Sequence, residues 1–580
     1  LNKIDSAQIR LRGMLWDRGY GDAIVEDTMR IDAATHTAAL RFHIDPVHLT
    51  TIDSLRIEGN EGVSDTTIVR LLGLRRGQLY KRTDMTAAQR RVYESEIFRQ
   101  TLVDVEETKD SAKTVVVTVR EAGFTAVRFG LGFNTTQYGQ GEARLTRYNF
   151  LGGARRLDVR GAVGNLAAKQ FYGKSFFGSG VPNGITKDID PAFLNPTWEV
   201  GATLTEPFVF DARASAGLGF STHRRSIPGI VIDKGFAGNA SLTWRFADRV
   251  PGSIGYMYER TDIDAGDLYF CINFGVCELR TMGALQAPHS LSPISVSGHA
   301  ERADDALAPT RGYSARLDLE HASTFTGSDW RYNRAQAEAN YYMPRRRSVL
   351  AFHVRAGWVN PLESTRVAVG LEEDSESTTG ILHPRKRFYA GGARSVRGFA
   401  ENQLGPRVLT IDPVRLLKRD DDTDPADLCT IATIRDGTCD PNVARSNEFI
   451  PRPLGGNTLL EGSIEYRFPL TAKIKGAVFV DAGLVRGQRL NLPPGNRGAI
   501  TPGFGVRYGS PIGPVRVDLG IRPGLAEEAP VVTQYVDDNG ELQIVQLQTP
   551  LRYDPLKDSK GFLSQITSRL QLHLAIGEAW

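Results

Sequence analysis

Beyond about residue 124, apolar and polar side chains alternate with a period of two. Leu157, Val159, Gly161 and Val163 interleave with Arg156, Asp158 and Arg160, and Leu242, Trp244 and Phe246 with Ser241, Thr243 and Arg245. Tyr313, Ala315, Leu317 and Leu319 do the same with Ser314, Arg316, Asp318 and Glu320. So do Leu460, Gly462, Ile464, Tyr466 and Phe468 with Glu461, Ser463, Glu465 and Arg467, and Val515, Val517, Leu519 and Ile521 with Arg516, Asp518, Gly520 and Arg522. Successive side chains of a strand point to opposite faces, so each segment is a strand with one apolar and one charged face. A soluble sandwich alternates too, with its apolar face turned inward. Two features favour a transmembrane barrel over that alternative. The strand region is long for one sandwich, and its polar face is charged heavily enough to line a wet lumen. The predicted fold class is mainly β, and sixteen antiparallel strands fit residues 123–580.

Residues 1–122 follow a different rhythm. Residues 51–57 predict a strand, Gly59 and Asn60 a turn, and Ser64 the N-cap of a short helix carrying Ile68, Val69, Leu71 and Leu72. Thr83 is placed as the cap of a second helix, whose Met85, Gln89, Val92 and Tyr93 follow the 3.6-residue period. Strands around 102–105 and through Val115, Val117 and Val119 complete an α+β domain over 50–122. Residues 1–49 read as the rear of a second such domain. It has a helix over 7–16, a turn at Gly19 and Tyr20, and a last strand through Leu40, Phe42 and Ile44. Its front is expected before residue 1.

The end of the chain keeps the strand period. Leu570, Leu572, Leu574 and Ile576 share one face, opposite Arg569, Gln571, His573 and Ala575, and Trp580 falls on the apolar parity. An amphipathic last strand ending in an aromatic is the usual closing signal of bacterial outer-membrane barrels, and Trp favours the membrane interface. In a closed barrel this strand pairs with the first one, near 126–134. Phe129, Gly130 and Gly132 on the first strand, with Leu574, Ile576, Gly577 and Trp580 on the last, form the expected seam. Glycine packs weakly, which makes this the pair most readily parted. Parting it exposes strand edges within the membrane, where unpaired backbone groups are costly and an incoming strand satisfies them.

Composition narrows the function classes. Glycine, 59 of 580 residues against an average of about 7%, suits tight turns and bent strands better than helices. Lys plus Arg (70) nearly cancel Asp plus Glu (67), so nothing points to a nucleic-acid partner. No stretch approaches the roughly 18 apolar residues of a membrane helix, which leaves strands untouched as a way across. Residues 1–10 hold no apolar core of a secretory signal, so a mature product or a fragment is expected. Cys271 with Cys277 and Cys429 with Cys439 read as two small disulfide loops in an oxidising compartment. The rival reading, one metal site built from both pairs, is disfavoured by their separation and the lack of a nearby histidine.

Catalysis is not expected. The chain has no Gly-x-Ser-x-Gly elbow, His-Glu-x-x-His or paired-cysteine zinc pattern. Gly173, Lys174 and Ser175 lack the upstream glycine of a phosphate-binding loop, Ala168 standing in its place. The acid-rich run 420–427 lacks the turn glycine and distal glutamate of a calcium loop. No enzyme activity, cofactor or metal is assigned.

Short strings punctuate these elements. Ile-Glu-Gly-Asn stands at 57–60, and Gln-Arg-Arg-Val-Tyr at 89–93 runs on to Ile97 and Phe98. Asn-Phe-Leu-Gly-Gly follows at 149–153, Pro-Thr-Arg-Gly at 309–312, and Phe-Tyr-Ala-Gly-Gly at 388–392 leading into Val-Arg-Gly-Phe at 396–399. Then come Gly-Gly-Asn at 455–457, Glu-Tyr-Arg-Phe at 465–468, Phe-Val-Asp-Ala-Gly at 479–483 and Ser-Pro-Ile-Gly at 510–513. Each string alone is weak. Their order and spacing together resemble the outer-membrane assembly superfamily that includes BamA and TamA, BamA-like members most closely, over nearly the whole chain.

The resemblance implies a partial POTRA domain over 1–49 and a complete one over 50–122. It implies a 16-stranded barrel over 123–580, with a loop around 385–405 folded into the lumen. The location implied is the bacterial outer membrane, with the POTRA domains in the periplasm. The implied function is folding and inserting β-barrel proteins through the first/last-strand seam. TamA-like autotransporter assembly and a two-partner protein-exporting channel are the alternatives. Implied partners are unfolded outer-membrane clients, accessory lipoproteins or periplasmic chaperones at the POTRA domains, and membrane lipid with lipopolysaccharide. Within the loop, Val396, Arg397, Gly398 and Phe399 are implied to act as a latch, with Arg397 paired to Glu465 and Asp481 on the barrel wall. A buried guanidinium requires such partners, and its planar fork suits carboxylates. Parity supports Glu465 well and Asp481 less, since Asp481 shares its face with Phe479. A charge swap of Arg397→Glu with Glu465→Arg is expected to restore part of what the first change loses.

Overall fold

The computed structural model describes residues 2–576 apart from 33, 107–110, 135–137, 172–190, 212, 228–229, 248, 265–269, 271–273, 275–278, 306–307, 363–364, 372–380, 418–428, 445–447, 488–495, 511–512, 524–526, 538–541, 554–560, 563–565 and 567–568. Two compact units are formed. One holds Leu1–Arg128, Arg144–Val159 and Thr203–Leu218, and the other Phe129–Ala143, Arg160–Ala202 and Gly219–Trp580.

In the first unit a helix, Asn2–Trp16, precedes an antiparallel hairpin of Ile24–Asp32 with Thr37–Asp45. The first hairpin strand escapes the sequence reading because its acidic and basic side chains hide the period. The domain over 50–122 has a three-stranded sheet with Ala112–Glu121 in the centre, parallel to Thr51–Glu58 and antiparallel to Phe98–Val105. Helices Asp65–Leu72 and Arg82–Glu94 supply Ile68, Leu72, Ala88 and Val92, which meet Ile52, Val115 and Val117 at 0% exposure. Each such aliphatic side chain contributes about 1.5–3 kcal/mol. Ser64 caps its helix as expected, accepting from the Thr67 amide. Thr83 does not cap: the N-cap is Lys81, and the Thr83 amide instead donates to Asp17 at 3.1 Å. A carboxylate from the end of Asn2–Trp16 does the work expected of the threonine. Tyr148 joins this core at 5% exposure and donates to Glu96, while Asn149 donates to Gly62 O at 3.0 Å.

Sixteen antiparallel strands form a nearly closed barrel. They are β1 Thr125–Asn134, β2 Tyr138–Arg147, β3 Arg156–Gly164, β4 Thr197–Pro207, β5 Ala214–Ile227, β6 Val231–Ala247 and β7 Val250–Asp264. Next are β8, broken into His289–Ser290 and Ile294–Glu301, then β9 Gly312–Ala322, β10 Tyr332–Arg345 and β11 Ser348–Pro361. The last are β12 Thr458–Pro469, β13 Ile474–Arg486, β14 Asn496–Ser510, β15 Gly513–Ile521 and β16 Leu570–Ile576. In strand order β16 lies between β15 and β1. Connections at one end are short turns, such as 346–347 and 470–473, and those at the other include long loops, such as 362–457 and 522–569.

The two faces of the wall invert the order of a soluble protein. On β12, Leu460 and Ile464 are each 53% exposed outward, while Glu461, Ser463, Glu465 and Arg467 are buried inward. On β13, Val478 and Val480 stand outward and Asp481 is buried. A sandwich in water buries the apolar set, so the sandwich alternative fails and the apolar face is the lipid face. Among the described residues no helix is long and apolar enough to cross a membrane, which says nothing of strands.

The long loops between strands carry short helices, Leu279–Gln286, Thr365–Ala368 and Ile431–Arg435. Loops 362–457 and 522–569 also share a sheet, ordered Ile450–Pro453, Arg407–Thr410, Val531–Val536, Leu542–Gln546. Its middle pair is parallel, with Leu409 opposite Val531. Cys429 and Cys439 are joined by a disulfide beside its core of Leu409, Leu416, Ile434 and Phe449. Cys271, Cys277, Gly577 and Trp580 lie outside the described residues, as do Gly173, Lys174, Ser175 and the run 420–427.

The Pro-Thr-Arg-Gly string closes the turn between β8 and β9. Asp304 accepts from the Thr310 amide (2.8 Å), the Thr310 hydroxyl (2.5 Å) and the Arg311 amide (3.1 Å). The Thr310 hydroxyl foremost, and then these amides, hold the Asp304 carboxyl down at about 2. Gly312 follows with φ +108°, and a Cβ there would stand 2.1 Å from Arg302 O, so only glycine fits.

Candidate functional site

Loop 362–457 folds into the lumen and crosses it, touching one strand after another. Arg385 reaches Asp233 of β6 at 2.8 Å and Glu259 of β7 at 2.6 Å. Lys386 pairs with Glu320 of β9 at 2.6 Å, and the Arg334 guanidinium of β10 lies 4.7 Å over the Phe388 ring. Arg355 of β11 donates to Tyr389 O at 3.5 Å. The segment ends at Val396, Arg397, Gly398 and Phe399, all buried. The result is a strut anchored on opposite sides of the wall.

The far anchor is built by strand register. Ser463 stands opposite Asp481, and Asp481 opposite Thr501. One step along, Glu465 faces Phe479, Phe479 faces Gly503, and Gly503 faces Gly520. Asp518 faces His573 of β16. Into this patch Arg397 inserts at 0% exposure. Its Nε and Nη2 donate to the two oxygens of Asp481 at 2.8 Å each, and its amide donates to Asp481 at 3.0 Å. Nη1 donates to Glu465 at 2.5 Å and to Asp518 at 3.4 Å, and Nη2 also reaches Ser463 Oγ at 3.3 Å. The Phe479 ring lies 3.3 Å under the guanidinium, a contact worth about 0.5–2 kcal/mol.

Burying a guanidinium costs several kcal/mol unless its donors are satisfied, and here each nitrogen has an oxygen acceptor. Glycines make the room. A Cβ on Gly520 would lie 2.0 Å from Arg397 O, and one on Gly398 would lie 2.3 Å from Thr501 Cγ2. His573 donates from Nε2 to Arg397 O at 2.9 Å, which ties the loop to β16. Around this core Arg467 and Arg507 pair with Glu465 at 2.8 and 3.0 Å, while Arg507 and Arg516 also pair with Asp518.

The structure thus brings Arg397, Glu465 and Asp481 together, the three charges singled out in the sequence. Phe479, which weakened the parity argument for Asp481, is the platform under the guanidinium and not a lipid-facing residue. Asp518, Ser463, Arg467, Arg507, Arg516 and His573 were missed. Asp518 and Arg516 sit on the polar parity of β15, so the alternation held the signal, but only register shows which polar positions share a row.

At the seam, Phe129 and Leu131 are 80% and 89% exposed, well above the 53% of Leu460 and Ile464. Gly130 and Gly132 border an open recess of about 450 Å³ with Gln140, Glu142, Arg160 and Glu199. On β16, Leu574 pairs with Val517 and Ile576 with Val515 of β15.

A barrel with short turns at one end, an inward loop latched by arginine, and a preceding α+β domain defines an outer-membrane barrel protein of the POTRA-bearing class. The profile of the Omp85 superfamily domain matches residues 149–529, and that of the POTRA family, described as a surface antigen variable number repeat, matches 50–122. The chain belongs to the Omp85 superfamily. An Omp85 barrel with POTRA units indicates the outer membrane, with those units in the periplasm. The fold is like that of Haemophilus ducreyi BamA lacking POTRA domains 1–3, with 17% identity, 100% of this chain and 93% of that one covered, and TM-score 0.61. CdiB from Acinetobacter baumannii matches at 12% identity, 92% and 78% coverage and TM-score 0.47. CdiB from Escherichia coli matches at 11% identity, 99% and 84% coverage and TM-score 0.47.

Proposed function

We propose that the chain is an outer-membrane assembly factor that folds and inserts β-barrel proteins at the seam between β1 and β16. The bareness of β1 carries this reading. Its outward Phe129 and Leu131 are more exposed than the outward side chains elsewhere on the wall, and its inner face presents two glycines to an open recess. A strand so poorly packed has little beyond backbone pairing to hold its edge. Each backbone group left unpaired in hydrocarbon costs several kcal/mol, so an opened edge takes up a client strand by pairing with it. The driving force is then the client's own burial in lipid, and no cofactor is required. Arg397 and its carboxylates act as a latch, bracing β12–β16 as the fixed half of the wall. The edge strands Thr51–Glu58 and Phe98–Val105 offer sites where unfolded clients, chaperones or accessory lipoproteins add as strands. Membrane lipid and lipopolysaccharide meet the apolar outer face.

The test is reconstitution in liposomes with an unfolded barrel client. An engineered disulfide between β1 and β16 is expected to stop insertion, and reductant to restore it, with reductant-treated wild type as control. Full insertion with the seam locked would sink the proposal. A protein-exporting channel is the second reading, for which the strut must leave the lumen. An exporter keeps transporting its substrate with the seam locked, which separates the two.

A further inference from the structure

The near anchor of the strut holds a second cluster of buried polar groups, apart from the latch. His223 of β5, Asp233 of β6 and Glu259 of β7 project from three neighbouring strands into the lumen, each 2% exposed. His223 Nε2 stands 3.4 Å from Asp233 Oδ2 and 3.4 Å from Glu259 Oε1. Neither ring nitrogen of His223 has a hydrogen-bond partner. His383, from the loop, is wholly buried, and its Nδ1 accepts from the Arg385 amide at 3.2 Å, so its Nε2 carries the proton, 3.9 Å from Asp233 Oδ1. Buried polar atoms without hydrogen bonds are rare and costly, about 1–3 kcal/mol each, so His223 Nε2 and Asp233 Oδ2, both without one and 3.4 Å apart, call for an explanation. Charge poses the same question. Among the described residues, the ion pairs of Asp233 and Glu259 run only to Arg385 and to histidines, so two carboxylates meet one permanent cation.

We propose that His223, Asp233 and Glu259 form a three-ligand site for a divalent transition metal of the zinc class, with water as fourth ligand, and that the metal competes with Arg385 for the two carboxylates. Ligands held at about 2.0–2.1 Å around a tetrahedral ion stand about 3.3–3.4 Å from one another, which is the spacing found around His223. An imidazole beside two carboxylates suits Zn²⁺, Ni²⁺ or Co²⁺ better than Mg²⁺ and Ca²⁺, which take oxygen ligands. The Thr261 hydroxyl donates to Asp233 Oδ1 and orients the carboxylate, as outer-shell partners of metal ligands do. A divalent ion with a neutral His223 cancels both carboxylate charges, where Arg385 cancels one. The exchange removes an ion pair between loop and wall, so binding of the metal loosens the near anchor of the strut. No motif spacing announces the site, because its residues come from three strands.

The experiment uses the whole chain in detergent, without an affinity tag and stripped by chelator. Co²⁺ absorption reports tetrahedral coordination, and calorimetry with Zn²⁺ gives stoichiometry and affinity. One equivalent of Zn²⁺, displacing Co²⁺, is expected. His223→Ala and Glu259→Gln are each expected to weaken binding by at least about tenfold, since even outer-shell changes cost that much. Arg385→Ala, which removes the competitor, is expected to tighten it. Heat-modified gel mobility checks that each barrel is folded, and should the wall variants not fold, Arg385→Ala on the loop still reads the competition with the wall intact. Failure of both wild type and Arg385→Ala to bind would overturn the proposal, as would an affinity indifferent to His223→Ala or to Arg385→Ala. Neither result depends on whether the chain inserts other proteins.

Discussion

Replacing Glu465 by Gln tests the latch at its most shared point. Glu465 accepts from Arg397 at 2.5 Å, Arg467 at 2.8 Å and Arg507 at 3.0 Å, at 0% exposure. The amide keeps the shape but removes the charge and turns one acceptor into a donor facing guanidinium groups. Three carboxylates, Glu465, Asp481 and Asp518, face four arginines at 397, 467, 507 and 516, so the excess of positive charge rises from one to two. Removing one partner of a buried pair costs about 3–5 kcal/mol, and with no solvent at the site little of that is screened away. At about 1.4 kcal/mol per decade, the docked loop loses roughly two to four decades against the undocked one. Trypsin added to proteoliposomes reads this at Arg397, which is wholly buried while the loop is docked. When opening is fast relative to cleavage, the rate follows the opened population. Cleavage should accelerate by those decades, and a rate equal to wild type would refute the reasoning. The same geometry corrects the charge swap. Arg397→Glu with Glu465→Arg sets a new cation between Arg467 and Arg507, so the swap is now expected to fail where the sequence alone promised partial rescue.

Three further predictions follow from packing, titration and covalent constraint. Gly520→Ala forces a Cβ to within 2.0 Å of Arg397 O and should cost about 1–3 kcal/mol, read as a lower temperature for the heat-induced gel shift; an unshifted transition would contradict the close approach. The Asp304 carboxyl, held at about 2 against its ordinary 3.8, stabilises its turn fully above about pH 4 and loses that contribution as pH falls toward 2. Amide exchange at Thr310 and Arg311, corrected for its intrinsic rate, should rise through that window in wild type and not in Asp304→Asn. Cys429→Ser opens a loop with sequence separation 10 and should cost about 2–3 kcal/mol of local stability, seen as faster proteolysis of the loop sheet with the barrel unchanged.

Much of the wall was legible because a strand writes its two faces in its own sequence. Leu460 and Glu465 needed only parity to be assigned outward and inward. What parity cannot write is register, and the latch is a register property: Asp518 meets Arg397 beside a row in which Glu465, Phe479, Gly503 and Gly520 line up across four strands. The loop sheet was illegible for a related reason, since its parallel pair of Leu409 with Val531 joins loops far apart in the chain. Thr83 failed as a cap because the helix starts before it, at Arg82, and Asp17 from another element accepts from its amide. Local chemistry named the residues and non-local pairing chose their partners.

A beam fixed at both ends across a tube also narrows the tube. Arg397, Glu465 and Asp518 are each 0% exposed, too dry for ions to thread between them. Cells bearing the loosened Glu465→Gln form are expected to become drug-sensitive, so that growth on a plate reports on a handful of buried hydrogen bonds.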